Sequence, residues 1–264
     1  MIREDDRLVI TEYCKALRLG AVSKSFESCL EDGPDCISYL KMLLQKQIDE
    51  NDSAAVEKRI KAAKFPYRKY IEDLELPYLP EPLAKQLPKL LTLDFIREGK
   101  NVILTGNPGT GKTHTAIGLG IKACEAGYRV LFTTIPYLFS ELKESNDKRK
   151  LRTYERRFRK YDLVIADELG YVSFDQEGAD LLFNNLSQRV GLKSTIITSN
   201  LSFEDWDQVF GGPAITGAMV DRLTFGATLI DMTGDSYRLR ETLRVNGLDS
   251  VYVMEGKKDN EKKV

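Results

Sequence analysis

Gly106-Asn107-Pro108-Gly109-Thr110-Gly111-Lys112-Thr113 fits G-x-x-x-x-G-K-[ST], the pattern of a phosphate-binding loop. Its flanks agree with that assignment. Asn101-Val102-Ile103-Leu104-Thr105 is a short apolar run of the kind that makes a buried parallel strand, and Ala116, Leu119, Gly120 and Ala123 recur at helical spacing behind the loop. Strand, glycine loop and helix together place backbone N–H groups and a helix N-terminus around a phosphate. In that geometry Lys112 reaches the β- and γ-phosphates of a nucleoside triphosphate, and the Thr113 hydroxyl is a ligand for Mg²⁺. A turn that only joined strand to helix would have no need of a Lys-Thr pair.

Working outward, four more apolar runs predict strands: Arg129–Thr134, Asp162–Ala166, Ser194–Ser199 and Thr228–Met232. Helical stretches separate most of them, notably Ala179, Leu182, Phe183, Leu186 and Val190. Alternating strands and helices predict an α/β fold, a parallel sheet covered on both faces. Ligands of such sheets sit beyond the carboxyl ends of the strands, where Gly106, Asp167, Glu168 and Asn200 are expected. The third run is expected to end in Asp167-Glu168. Asp167 is placed to hold Mg²⁺, largely through water, and Glu168 to orient or deprotonate an attacking water. A small-molecule kinase needs no such second carboxylate, whereas a hydrolase does. Asn200, at the tip of the neighbouring strand, can fix the same water or the γ-phosphate; a plain strand-end turn is its alternative.

The bulk numbers describe an ordinary globular chain: 264 residues, 42% hydrophobic and 30% charged, with Lys+Arg 39 against Asp+Glu 40 and a net charge of −1. The N-terminus has no apolar signal region, and no apolar run approaches membrane-spanning length. Cys14, Cys29, Cys36 and Cys124 lack C-x-x-C spacing, which predicts reduced thiols in a cytoplasmic protein. With His114 the only histidine, no zinc site is expected; helix packing suits that residue better than chemistry.

Residues 1 to about 70 read as helical. Ile37, Leu40, Leu43, Leu44 and Ile48 outline one amphipathic helix. Asn51-Asp52-Ser53 is expected to break it and cap a second, which Pro66 ends. From Glu57 to Tyr70 stand six basic residues and one acidic one, including Lys58, Arg59 and Lys61. Such a cluster is either a solvated helix face or a contact to a nucleic-acid backbone. Prolines 66, 77, 80, 82 and 88 mark a linker with a domain boundary between about 70 and 90. The expected domains are a helical DNA- or partner-binding domain at 1–75, a core at 76–255 and a charged, disordered tail at 256–264.

An insert between the second and third strands, from Lys143 to Lys160, holds nine basic residues against three acidic ones. On a helix, Arg149, Arg152, Arg156 and Arg159 fall in one stripe, with Leu151, Tyr154, Phe158 and Tyr161 opposite. That pattern predicts a helix packed by its apolar face and presenting guanidinium groups to an anionic polymer, a solvated face being the alternative.

Taken together, these motifs resemble those of the IstB-like transposition helper ATPases, a branch of the AAA+ class close to DnaC-like helicase loaders. The resemblance rests on Gly106–His114 (GNPGTGKTH), Val164-Ile165-Ala166-Asp167-Glu168-Leu169-Gly170 and Thr198-Ser199-Asn200. It rests also on Asp221-Arg222-Leu223, Ser236-Tyr237-Arg238 and Arg59–Pro66 (RIKAAKFP), and spans about residues 37–245. It implies an AAA+ P-loop core with a small helical N-terminal domain and a minimal lid. It also implies that His114 belongs to the nucleotide-binding stretch and that Arg222 is an arginine finger acting on ATP held by a neighbouring subunit, with a local Asp221–Arg222 pair as the alternative. Arg238 becomes a candidate nucleotide-sensing arginine. The expected function is an ATP-hydrolysing homo-oligomer that binds duplex DNA and assists a transposase in selecting or remodelling its target. A replicative helicase loader is the alternative; a metabolic P-loop enzyme is disfavoured by Glu168 and the arginine stripe.

Overall fold

The computed structural model describes residues 4–32, 35–75, 78–144, 148–210 and 212–246, without the side chains of residues 31, 32, 36 and 148–150. The expected tail at 256–264 lies outside the described residues. The contacts divide the chain into two compact units, Met1–Lys58 and Arg59–Val264.

The first unit contains α1 (Glu4–Ala16), α2 (Gly20–Asp32) and most of α3 (Cys36–Ala62). Its small core joins Phe26, Cys29 and Leu43, with Ile10, Val22, Tyr39 and Met42 packed around them. Asp35 opens α3 by accepting hydrogen bonds from the N–H groups of Ile37 and Ser38. The expected break at Asn51-Asp52-Ser53 is absent, and α3 runs through it as one helix. The reason is local: no glycine or proline interrupts α3, and Asn51 accepts from Gln47 at 2.9 Å one turn back instead of capping a new helix. Ala62 ends the helix; Lys64, at φ 63°, turns the chain left-handed before Pro66.

The second unit is built on a five-stranded parallel sheet of β1 (Val102–Thr105), β2 (Val130–Thr134), β3 (Leu163–Leu169), β4 (Ser194–Ser199) and β5 (Thr228–Asp231). The strand order is β2-β3-β4-β1-β5. Val102, Ile103 and Leu104 of β1 are fully buried, as continuous apolar runs in a two-sided parallel sheet must be. β4 lies between β1 and β3, so its tip falls between the glycine loop and the Asp167-Glu168 pair. β3 does not stop at that pair but continues to Leu169 with a register shift, described below.

Helices complete the unit: α4 (Glu81–Leu91), α5 (Asp94–Arg97), α6 (Lys112–Glu125), α7 (Ile135–Glu144), α8 (Lys148–Phe158), α9 (Gln176–Ser187), α10 (Asp207–Phe210), α11 (Pro213–Thr224) and α12 (Tyr237–Val245). Of the proline-marked stretch, residues 71–73 form a 3-10 turn and α4 carries Pro82 in its first turn, where a missing N–H costs nothing. Residues 59–75 make their contacts within this unit. Phe132 donates its N–H to Ala63 O, and Arg59 Nε donates to Cys124 O at 2.7 Å. Gly118 and Gly120 in α6 leave room for Ile71 and Phe65. Among the described residues, no helix is long and apolar enough to cross a membrane.

Candidate functional site

Gly106 leaves β1 at φ 134°, and a Cβ there would strike the Met232 backbone. Gly109, at φ 84°, sits so close to Ser236 that a Cβ would meet its hydroxyl. Glycine is required at both positions by conformation and by space. The glycine loop therefore packs beneath the first turn of α12, and Tyr237 donates its N–H to Gly109 O at 3.0 Å.

Lys112 opens α6 and is buried. Its Nζ donates to Gly106 O and Asn107 O, both at 2.6 Å. Burial pulls its ammonium down to about 8, with the Asp167 charge opposing that shift. A cation held by backbone carbonyls, at the mouth of a glycine cradle, is matched to an anion such as a phosphate chain. The Thr113 hydroxyl donates to Asp167 at 3.0 Å (Oδ1) and 3.2 Å (Oδ2). Asp167 is itself buried; burial pushes its carboxyl up, while hydrogen bonds from Thr198 and Thr113 and the charge of Lys112 pull it down. A hydroxyl and a carboxylate meeting at the edge of the loop form the hard-oxygen donor set that suits Mg²⁺.

Glu168 lies at the pocket wall, its carboxyl pushed up by burial and by the neighbouring Asp167 charge. Asn200, one residue past β4, lines the same pocket, which measures about 370 Å³. The structure thus brings together Pro108–His114, Glu168, Asn200 and Arg238 around one cavity, with Asp167 behind Thr113. His114 also faces Tyr70 O, 2.8 Å from its Nε2; a carbonyl only accepts, so that nitrogen carries the proton. Arg222 is elsewhere, exposed on α11 with its guanidinium 5.8 Å from the centre of the Phe183 ring.

The expected arginine stripe divides. Tyr154 and Phe158 are buried, with Leu151 and Tyr161 partly so, and they pack α8 into the hydrophobic core of the unit. Arg152 and Arg156 are exposed on α8, whereas Arg159 stands one residue past its end and donates to Gln188 Oε1. The Arg149 side chain lies outside those described. Lys58 and Lys61 are exposed, but Arg59 is half-buried and committed to Cys124 O.

Sequence reasoning missed the residues that close the cavity from the side of residues 67–79: Tyr67, Leu74, Tyr78 and Leu79, faced by Tyr237. The tyrosines at 67, 70 and 78 were the available signal, since a solvated linker has little use for aromatic rings. It also gave no role to Thr198, buried beside Asp167.

A glycine loop after β1, an acidic pair at β3 and a polar tip on the strand between them define a P-loop nucleotide-binding domain with the AAA+ fold. Solved structures of like fold include DnaI, with TM-score 0.54 and 21% identity over 62% of this chain and 90% of that one. AMPPCP-bound DnaA from Aquifex aeolicus has TM-score 0.52 and 20% identity, covering 68% and 56%. The chain belongs to the family of IstB-like ATP-binding proteins, whose model matches residues 14–245. It is 35% identical over 236 residues to the insertion sequence IS5376 ATP-binding protein of Geobacillus stearothermophilus, covering 88% of this chain and 94% of that one. It is likewise 35% identical over 229 residues to the insertion sequence IS21 ATP-binding protein of Pseudomonas aeruginosa, covering 85% and 86%. The chain is accordingly an ATP-binding protein of that family, and the cavity is the one its glycine loop lines.

Proposed function

We propose that ATP binding assembles the protein as an oligomer on duplex DNA, and that the assembly assists a transposase in selecting or remodelling its target. Hydrolysis of ATP to ADP and phosphate then releases it. The observation that carries this reading is the separation of Arg222 from the ATP cavity of its own chain, while Lys112, Thr113, Asp167, Glu168 and Asn200 gather there. A site that lacks its own arginine finger is completed by a neighbour, which makes turnover depend on assembly.

Within that site Lys112 binds and orients the phosphates, and Thr113 and Asp167 hold Mg²⁺. The metal, when bound, neutralises charge on the phosphate oxygens. Glu168 accepts the proton of the attacking water, and Asn200 fixes that water's position. Arg238, in the first turn of α12, senses the bound nucleotide. His114 braces the loop through Tyr70.

DNA contact falls to Arg152, Arg156 and Arg159 at α8, with Arg149 on the same helix. Lys58 and Lys61, exposed near the end of α3, supply further contacts to DNA or transposase. Bending DNA by 40–90° costs about 1–6 kcal/mol, which repeated arginine–phosphate contacts along an oligomer can supply. Insertion-sequence relatives support the transposase partner. The deciding experiment is ATP-dependent assembly, followed by sedimentation, on duplex against single-stranded DNA. Duplex preference is expected; a single-strand preference would point to a helicase loader instead.

A further inference from the structure

Asp167 and Glu168 are neighbours on β3, and in an unbroken strand they would point to opposite faces of the sheet. The sheet is broken there in a specific way. Ala166 pairs with Ile197 and Leu169 pairs with Ser199, so three steps along β3 match two along β4. One residue is extra, and Glu168 absorbs it at φ 67°, a left-handed conformation that a glutamate rarely adopts. The residue across the bulge is Thr198.

Thr198 is buried, 2% exposed, and its hydroxyl serves both sides of the irregularity. It accepts the Glu168 N–H at 3.0 Å, where the register of the ladder shifts. It also donates to Asp167 Oδ1, the same oxygen that the Thr113 hydroxyl reaches. The next hydroxyl supports the same distortion, since Ser199 Oγ donates to Leu169 O at 2.9 Å. One side chain thus fixes the carboxylate of Asp167 and the backbone of Glu168 together.

We infer that Thr198 is a positioning residue that holds the β3 bulge and so aims Glu168 into the ATP site while keeping Asp167 turned toward Thr113. This rests on the hydrolysis reading given above. Valine has nearly the shape of threonine but neither donates nor accepts, so Thr198→Val removes both bonds with little change in volume. Serine keeps the hydroxyl.

Two readouts separate positioning from general stability. In nucleotide-free protein, amide hydrogen exchange at Glu168 should quicken by at least about tenfold in Thr198→Val and stay near wild type in Thr198→Ser. In the ATPase assay, Thr198→Val should lose about tenfold or more in kcat with little change in KM for ATP, and Thr198→Ser should recover most of it. Should valine prevent folding, Thr198→Ala gives the same comparison against serine. Wild-type exchange and wild-type kcat in a folded valine or alanine variant would overturn the inference, as would a serine variant as impaired as valine. Glu168→Gln run alongside keeps the two readings apart. If it retains normal turnover, Glu168 is not the base; the exchange experiment still judges the Thr198 clamp.

Discussion

The Tyr237 hydroxyl donates to Glu75 Oε1 at 2.8 Å, tying the first turn of α12 to the segment ahead of β1 across 162 residues of sequence. One turn further along α12, the Arg240 guanidinium lies 4.4 Å from the centre of the Tyr78 ring. Both contacts cross the mouth of the ATP cavity, which Glu75, Tyr78 and Tyr237 line. Among the described residues, two short pieces thereby flank the nucleotide site. Both contacts are solvent-exposed, so each is worth little by itself. Tyr237→Phe should weaken ATP binding by about two- to fivefold, the scale of one net hydrogen bond, and Tyr237→Phe combined with Arg240→Ala by more. Titration with a fluorescent ATP analogue measures this; unchanged affinity in the double variant would mean that α12 does not restrain the nucleotide.

Arg189 makes the opposite kind of contact, deep and held by several hydrogen bonds. It is 1% exposed, and its guanidinium donates to Phe158 O, Tyr161 O and Ser194 O at 2.9–3.1 Å and more weakly to Thr195 Oγ1. Burial pulls it down to about 10, and no carboxylate bonds it directly among these four acceptors. Its effect is to fasten the C-terminal end of α8, through Phe158 O, to the start of β4. Arg189→Met should cost about 3 kcal/mol, because three buried carbonyls lose their donor, and lower Tm by roughly 6–12 °C in a unit of this size. Thermal unfolding of the full chain tests it; a shift under about 2 °C would show that water replaces the guanidinium.

The fold was readable wherever the determinants are local. The five apolar runs and the glycine loop specify strands and a turn through residues adjacent in sequence, and the sheet follows from their alternation with helices. Reading failed where a side chain from elsewhere decides the outcome. Asn51-Asp52-Ser53 looked like a cap, but Gln47 occupies Asn51 from within the helix. β3 looked complete at Glu168, but Thr198 on another strand stabilises a bulge that carries it on to Leu169. Arg159 looked like the end of a stripe, but the helix stops at Phe158, where Tyr161 and Arg189 take over the packing. The tyrosines at 67 and 78 signalled burial in a stretch read as a linker, but the cavity they face is formed by residues distant in sequence.

Arg222 presents a prediction that only an oligomer can satisfy. Its guanidinium rests on Phe183 at the surface, outside the cavity of its own chain. Arg222→Ala should lower ATPase activity by on the order of 10³-fold, the scale of an arginine finger, while ATP binding stays near normal. Mixing it with Lys112→Ala subunits, which hold an intact Arg222 but a defective loop, should restore part of the activity. Turnover assayed across a series of mixing ratios should pass through a maximum. A flat, inactive series would assign Arg222 to its own surface and remove the shared site.

Arg152 and Arg156 face solvent on a helix anchored by Tyr154 and Phe158, so their charges can be removed without disturbing its packed side. Arg159 lies just beyond, close enough in sequence to continue the same surface. With a chain net charge of −1, this local excess of positive charge suits a phosphate backbone. Replacing Arg152, Arg156 and Arg159 by Ala should weaken duplex binding at every sequence tested, since phosphate contacts carry no base preference. The slope of log K against log salt should flatten by as much as about 0.9 for each phosphate that is no longer neutralised. Fluorescence anisotropy over a salt series reads both quantities. Because the three side chains stand outside the ATP cavity, nucleotide affinity should remain unchanged in the same preparation. An unaltered slope would leave α8 a solvated face and send the search for the DNA-binding surface to the helical N-terminal residues.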